Sequence, residues 1–193
     1  MTEQRKPLSS YRAPKYWPTW FGLGVLRVIC WLPHRMALSI GRAFGVLAYT
    51  FSSSLRAIVR RNIELCFSEM TAAEHTALTR DHFKALGMSV IEMGLGRWAS
   101  DEHLASITTI SGLEHLEPAI EAGTGIILLA AHFTTIEISG RVLAQNIPPF
   151  DGVYRKNRSD FITELQRTGR ERTVADTIEK RDIKKMVRRL RKG

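Results

Sequence analysis

The chain has 193 residues, 44% of them hydrophobic, which is long and apolar enough for one domain with a sizeable core and argues against a disordered chain. Its two cysteines, Cys30 and Cys66, have no CxxC spacing, so a disulfide framework and a cysteine zinc site are not expected and a reducing compartment is the default. The net charge of +9 is unevenly spread: residues 1–61 carry ten Lys/Arg against one acid, 62–153 four against twelve, and 154–193 fourteen against six. Basic blocks of this kind suit anionic lipid, a phosphorylated substrate or an acidic partner, with a merely solvated face as the plain alternative. They lack interleaved aromatics after Phe161 and contain no base-reading motif, so nucleic-acid binding is not expected.

Residues 1–16 read as a basic N-terminal tail. From Trp17 to Leu32 the sequence WPTWFGLGVLRVICWL is apolar except for Arg27, with Pro18 suiting a helix start and Pro33 ending the run. A spanning helix needs about 20 apolar residues, so this run is short. Three readings compete: a spanning helix with Arg27 snorkelling and Trp17, Trp20 and Trp31 at headgroup level, a helix lying in the interface, or a buried helix. The flanking tryptophans favour a membrane anchor over 17–33, and the absence of a nearby small-x-small site argues against a cleaved signal. Arg5, Lys6, Arg12 and Lys15 favour a cytoplasmic N-terminus, but the basic residues from Arg35 to Arg61 leave orientation open.

Residues 34–51 form a second apolar helix, with Arg35 and Arg42 on one side, lying against membrane or core. Thr71 and Glu74 form a capping box that opens a long helix, which Gly94 and Gly96 close. Ile107–Ser111 is β-branched and reads as a strand; residues 112–122 hold a short helix. Gly123-Thr-Gly125 is a turn before IILLAA (126–131), which reads as a strand buried on both faces. A helix follows over 137–143, a strand begins at Gly152, and 159–172 form a helix with Phe161, Ile162 and Leu165 inward. The alternation from Gly123 onward predicts an α/β layer, within a domain over residues 34–193. Arg181–Lys192 is a basic amphipathic helix, seven of its twelve residues Lys or Arg, and another strand is expected after it, so the domain looks cut off there.

His132 directly follows IILLAA, and Glu137 stands five residues on. On one ideal helix the two side chains would lie about 140° apart, so they converge only if His132 sits in the turn and Glu137 in the first turn of the helix. Ligand sites of open α/β sheets lie at such strand ends. A neutral imidazole there can take a proton from a hydroxyl, and a carboxylate can hold the ring's other N–H. No activated Ser or Cys accompanies the pair, which favours direct transfer over a covalent intermediate. A strand-end His with an exposed Glu is the bland alternative. Arg155, Lys156 and Arg158 at the end of the next strand, and Arg170 and Arg172 at the end of the following helix, could meet phosphate or carboxylate oxygens or be solvated. His75, His82, His103 and His115 lack metal spacing, so packing or surface roles are expected.

The ordered segments WPTWFGLG, HFKALGMSVIEMG, GTGIILLAAHFTTIE, GVYRKNRSDF, TGRER and DIKKMVRRLRKG resemble the late acyltransferases of lipid A biosynthesis, the lauroyl/myristoyl transferase family, from about Trp17 to Gly193. The resemblance implies a bacterial inner-membrane protein with an N-terminal membrane helix and a cytoplasmic, glycerolipid-acyltransferase-like α/β domain. It implies acyl transfer, without a cofactor, from acyl carrier protein to a hydroxyl on an acylated, phosphorylated glucosamine disaccharide. His132 and Glu137 match its catalytic motif, Arg170 an arginine it needs, and Arg155 its Tyr-Arg strand end; Lys156 and Arg158 stand where it usually has prolines. The family continues for roughly another hundred residues, including an aspartate-bearing strand, so little activity is expected of this chain alone. The alternatives are an acyltransferase for another glycolipid or aminolipid, and a non-catalytic module binding anionic lipid.

Overall fold

A computed structural model describes residues 6–131, 133–155, 157, 159–171 and 173–191. They are mostly helical: α1 (Trp17–Ile29), α2 (His34–Phe51), α3 (Ser53–Cys66), α4 (Ala72–Trp98), α5 (Asp101–Ile107), α6 (Glu117–Glu121), α7 (Ile136–Ala144), β1 (Asp151–Tyr154), α8 (Asp160–Arg170), β2 (Asp176–Glu179) and α9 (Ile183–Leu190). The chain divides into two compact units, a helical one over 23–98 with 133–135, and a mixed one comprising 1–22, 99–132 and 136–193.

In the helical unit α2 lies on α4 through small residues one turn apart. Ala37, Gly41 and Gly45 are buried, and the two glycines meet Phe83, Gly87 and Ile91 of α4, where a Cβ on Gly41 would stand 2.9 Å from Gly87 O. The expected helix over 34–51 therefore rests on protein core along this stripe. Val59 and Ile63 of α3, a helix with no counterpart in the sequence expectations, close over Phe83 with Tyr49 and Leu78. The capping box opens α4 as expected: Thr71 N–H donates to Glu74 Oε2 at 2.7 Å and Glu74 N–H to Thr71 Oγ1 at 3.3 Å. His75 is buried with Nε2 2.7 Å from Phe67 O, a packing role. Gly94 and Gly96 do not end α4, which runs on to Trp98; Gly94 is kept small by Leu26 and Cys30, which crowd its Cα.

No described helix is long and apolar enough to cross a membrane. The expected membrane helix over 17–33 is thus not supported as a spanning one: α1 has 13 residues, about 20 Å of helix against a hydrocarbon core of about 30 Å.

In the mixed unit β1 and β2 are parallel, in the register Asp151↔Asp176 to Tyr154↔Glu179, and α8 connects them. The strand–helix alternation is thus real in this β1–α8–β2–α9 stretch, with Ile178 and Phe161 at its core. Phe161, next to the Ser159 cap of α8, collects aromatic partners from the first residues of the chain. Tyr11 stacks on it at 5.0 Å between centroids, Tyr16 and Trp20 meet it at 5.3 and 5.1 Å, and Trp20 Nε1 donates to Tyr11 O at 2.8 Å.

Two expected strands are absent. Ser100 caps α5 by accepting from His103 N–H, and that helix takes in Ile107, leaving 108–111 outside any helix or strand. Residues 126–131 are also not a strand and are not buried, Ile127 being 77% and Leu129 97% exposed. Apolar composition favours a strand, but a ladder needs a neighbouring backbone, and among the described residues only β1 and β2 supply one to each other.

Candidate active site

Ile138 and Val142 are the buried residues of α7, which fixes the helix and leaves Glu137 in its first turn only partly covered. Across the mixed unit, α8 ends with Arg170 in its last turn. The two side chains form a forked ion pair: Arg170 Nε lies 3.2 Å from both Glu137 oxygens, and Nη2 donates to Oε1 at closer range. The acid stands at a helix N-terminus and the base at a helix C-terminus, so each charge also suits the dipole of its own helix. The fork fixes the plane of the carboxylate, which a lysine could not do.

A neighbouring arginine behaves differently. Arg167 is more deeply buried than Arg170 and is held by Glu164 and Glu171 of its own segment, with Nε 2.9 Å from Glu164 Oε2. Those two carboxylates account for Arg167, leaving Arg170 as the α8 arginine that reaches across to α7.

Of the residues singled out from sequence, Glu137 and Arg170 are brought together although 33 positions separate them. Arg155 is exposed just past β1. His132, Lys156, Arg158 and Arg172 lie outside the described residues. The backbone before position 132 is the exposed 126–131 segment, not the buried strand expected to present the histidine. Sequence reasoning missed Asn157, Thr163 and Gln166. Asn157 N–H donates to Thr163 Oγ1 at 3.0 Å and Asn157 Nδ2 to Gln166 Oε1 at 2.7 Å, tying the turn after β1 to α8. A side-chain amide close before the Ser159 cap was the available signal. No group of three or more metal-ligating side chains occurs among the described residues.

Chemically, a carboxylate has about four lone-pair sites, and a forked arginine leaves room for one further donor such as an imidazole N–H. The partial exposure of Glu137 leaves it open to such a donor or to a ligand.

Comparison with known proteins identifies relatives along the whole chain. The family model of the bacterial lipid A biosynthesis acyltransferases matches residues 4–193. The lipid A biosynthesis lauroyltransferase of Escherichia coli K12 is 35% identical over all 193 residues, which cover 63% of that protein. A lipid A biosynthesis acyltransferase of Haemophilus influenzae is 34% identical over 183 residues, 94% of this chain and 58% of that protein. The E. coli palmitoleoyltransferase is 31% identical over 193 residues, again 63% of its length. The chain thus spans about three fifths of the curated relatives it matches. No solved structure matches it.

Proposed function

The chain belongs to the bacterial lipid A biosynthesis acyltransferases, and we propose that it carries the catalytic pair of such an enzyme, transferring a fatty acyl group from acyl carrier protein to a hydroxyl of a lipid A precursor. The observation that carries this reading is the forked grip of Arg170 on Glu137, five residues after His132. His132 takes the proton of the acceptor hydroxyl as its oxygen attacks the thioester carbonyl. The new C–O bond forms, the C–S bond breaks, and the imidazolium returns the proton to the departing thiolate. Glu137 accepts the second ring N–H, which fixes the tautomer and stabilises the imidazolium. Arg170 holds Glu137 in the plane that this hydrogen bond needs. Arg155, Lys156 and Arg158 meet phosphate groups of the acceptor, and the net positive charge of 154–193 attracts both that acceptor and the acidic carrier protein. The site works at the cytoplasmic face of the inner membrane, where both substrates are found.

The test is single-turnover transfer of a labelled acyl chain from acyl carrier protein to a phosphorylated, acylated glucosamine disaccharide, at high concentration of this chain. A product burst that His132→Ala abolishes, Glu137→Gln slows on the order of 10⁴-fold and Arg170→Lys slows by about tenfold or more supports the reading. Sustained turnover by this chain, which covers 63% of its lauroyltransferase relative, is expected to be small, so the first-turnover burst is the readout: transfer undiminished in His132→Ala refutes the assignment of the base, no burst from the unsubstituted chain refutes its catalytic competence, and transfer only to a different lipid refutes the acceptor.

A further inference from the structure

Helix α9 is held to the mixed unit by its charges and turns apolar side chains outward. Lys185 Nζ lies 2.6 Å from Asp176 Oδ2 at the start of β2. Arg189 forks onto Asp151 at the start of β1, with Nε 2.6 Å from Oδ2 and Nη2 2.9 Å from Oδ1. Asp151 and Asp176 are register partners, so the helix is clipped across the first rung of the sheet. At its end Leu190 presses on Gly125, where any Cβ would overlap it.

With about 100° per residue, Lys185 and Arg189 define one face. The other side carries two adjacent stripes about 100° apart. One is Ile183, Val187 and Leu190, with Ile183 58% and Val187 43% exposed; the other is Lys184, Arg188 and Arg191. Residues of both stripes line one open depression. The three cations have no carboxylate partner among the described residues. Shortly after Gly125 come the exposed Ile127, Leu128 and Leu129.

We propose that this outward face of α9 is a docking surface for an anionic phospholipid bilayer. An apolar stripe flanked by cations that have no carboxylate partner among the described residues is the pattern of a helix lying in a lipid interface, its alkyl groups among acyl chains and its cations at phosphate level. Fixing by Lys185 and Arg189 sets the orientation in advance, so binding need not order the helix. An acidic protein would answer the cationic stripe. A bilayer also covers the open apolar stripe and the apolar 127–129 segment without a shaped partner, which decides between them. The proposal does not rest on catalysis, and its test contains no turnover.

The probe is a spin label on Val187→Cys in the full chain with Cys66→Ser; Cys30 is half-buried with its thiol pKa pushed up by burial to about 11, which slows its labelling, and the Cys66→Ser chain without the Val187 substitution is the labelling blank. Vesicles of phosphatidylcholine with one quarter phosphatidylglycerol are compared with pure phosphatidylcholine. The label is expected to become accessible to oxygen and shielded from aqueous nickel only on the anionic vesicles. Lys184→Gln/Arg188→Gln/Arg191→Gln should weaken that partition about 100-fold, on the order of fivefold per charge. These side chains are exposed, and circular dichroism checks that the triple variant keeps its helices. A label that stays in water while the chain binds vesicles, or an anionic-vesicle partition unmoved by the triple substitution, overturns the proposal. Burial of the label by a soluble acidic protein but not by anionic vesicles overturns it equally.

Discussion

The crossing of α2 and α4 is the tightest packing in the helical unit, and adding one methyl group to it tests the fold directly. A Cβ on Gly45 would stand 2.8 Å from Lys84 Cα and closer still to Phe83 O. One on Gly87 would stand 2.6 Å from Gly45 N and 2.9 Å from Gly45 Cα. Every one of these neighbours is backbone, so no rotamer change relieves the overlap. Carbon–carbon contacts prefer about 3.5–4.0 Å, so the two helices must part by roughly 1 Å. Overpacking of this kind costs about 1–3 kcal/mol, and a gap of that size forfeits a quarter to a half of the dispersion energy of the facing atoms, here Phe83 and Ile91. Against this, alanine is the better helix former by about 1 kcal/mol. For Gly45→Ala the balance is a net loss of about 1–2 kcal/mol, or a midpoint about 2–8 °C lower in thermal unfolding followed by circular dichroism. Gly24→Ala in α1 is the internal control, because nothing lies within 4 Å of its Cβ position. There only propensity acts, and about 0.5–1 kcal/mol of stabilisation is expected. If Gly45→Ala were as stable as the parent, the close crossing would be wrong; if both alanines behaved alike, packing would not be what selects glycine.

Two further outcomes follow from the mixed unit. The Asp176 carboxyl is held below the usual carboxylate range, first by its hydrogen bond from Lys185. The stability it contributes is therefore present above its unfolded value of about 3.9 and lost as pH falls through the lower folded value. Amide resonances of α9 should hold their folded positions at pH 5 and shift below about pH 4, whereas Asp176→Asn should show the shifted positions at every pH. Phe161→Ala removes the ring on which Tyr11, Tyr16 and Trp20 converge and should cost about 3–5 kcal/mol in urea unfolding. Burial also raises the Tyr11 hydroxyl above its ordinary value, so its contribution is intact below about pH 10 and lost as pH climbs through the raised value. Tyr11→Phe should accordingly keep the near-ultraviolet signal of the cluster to higher pH than the parent.

Features encoded within a few residues were readable in advance. The Thr71–Glu74 box needs only its own turn, and the bounds of α2 follow from its apolar run and Pro33. The inward Phe161 follows from the period of α8. Reading failed where the deciding partner is distant or the local signal is thin. β2, with the sequence Asp-Thr-Ile-Glu, carries one aliphatic residue and exists because β1 lies beside it. Residues 126–131 have the composition of a buried strand yet pair with nothing described, since composition states a preference and a ladder requires a neighbour.

The candidate site shows the same division at the level of chemistry. Glu137 could be singled out from its spacing to His132, but that spacing leaves the plane of the carboxylate free. A fork from Arg170, 33 residues away, removes that freedom, and the arginine arrives only because β1 and α8 return the chain to the start of α7. In the proposed mechanism Arg170 therefore orients the carboxylate as much as it supplies charge. A lysine there keeps the charge and loses the fork. If Arg170→Lys transferred acyl groups as fast as the parent, charge alone would suffice and the orienting role would be wrong.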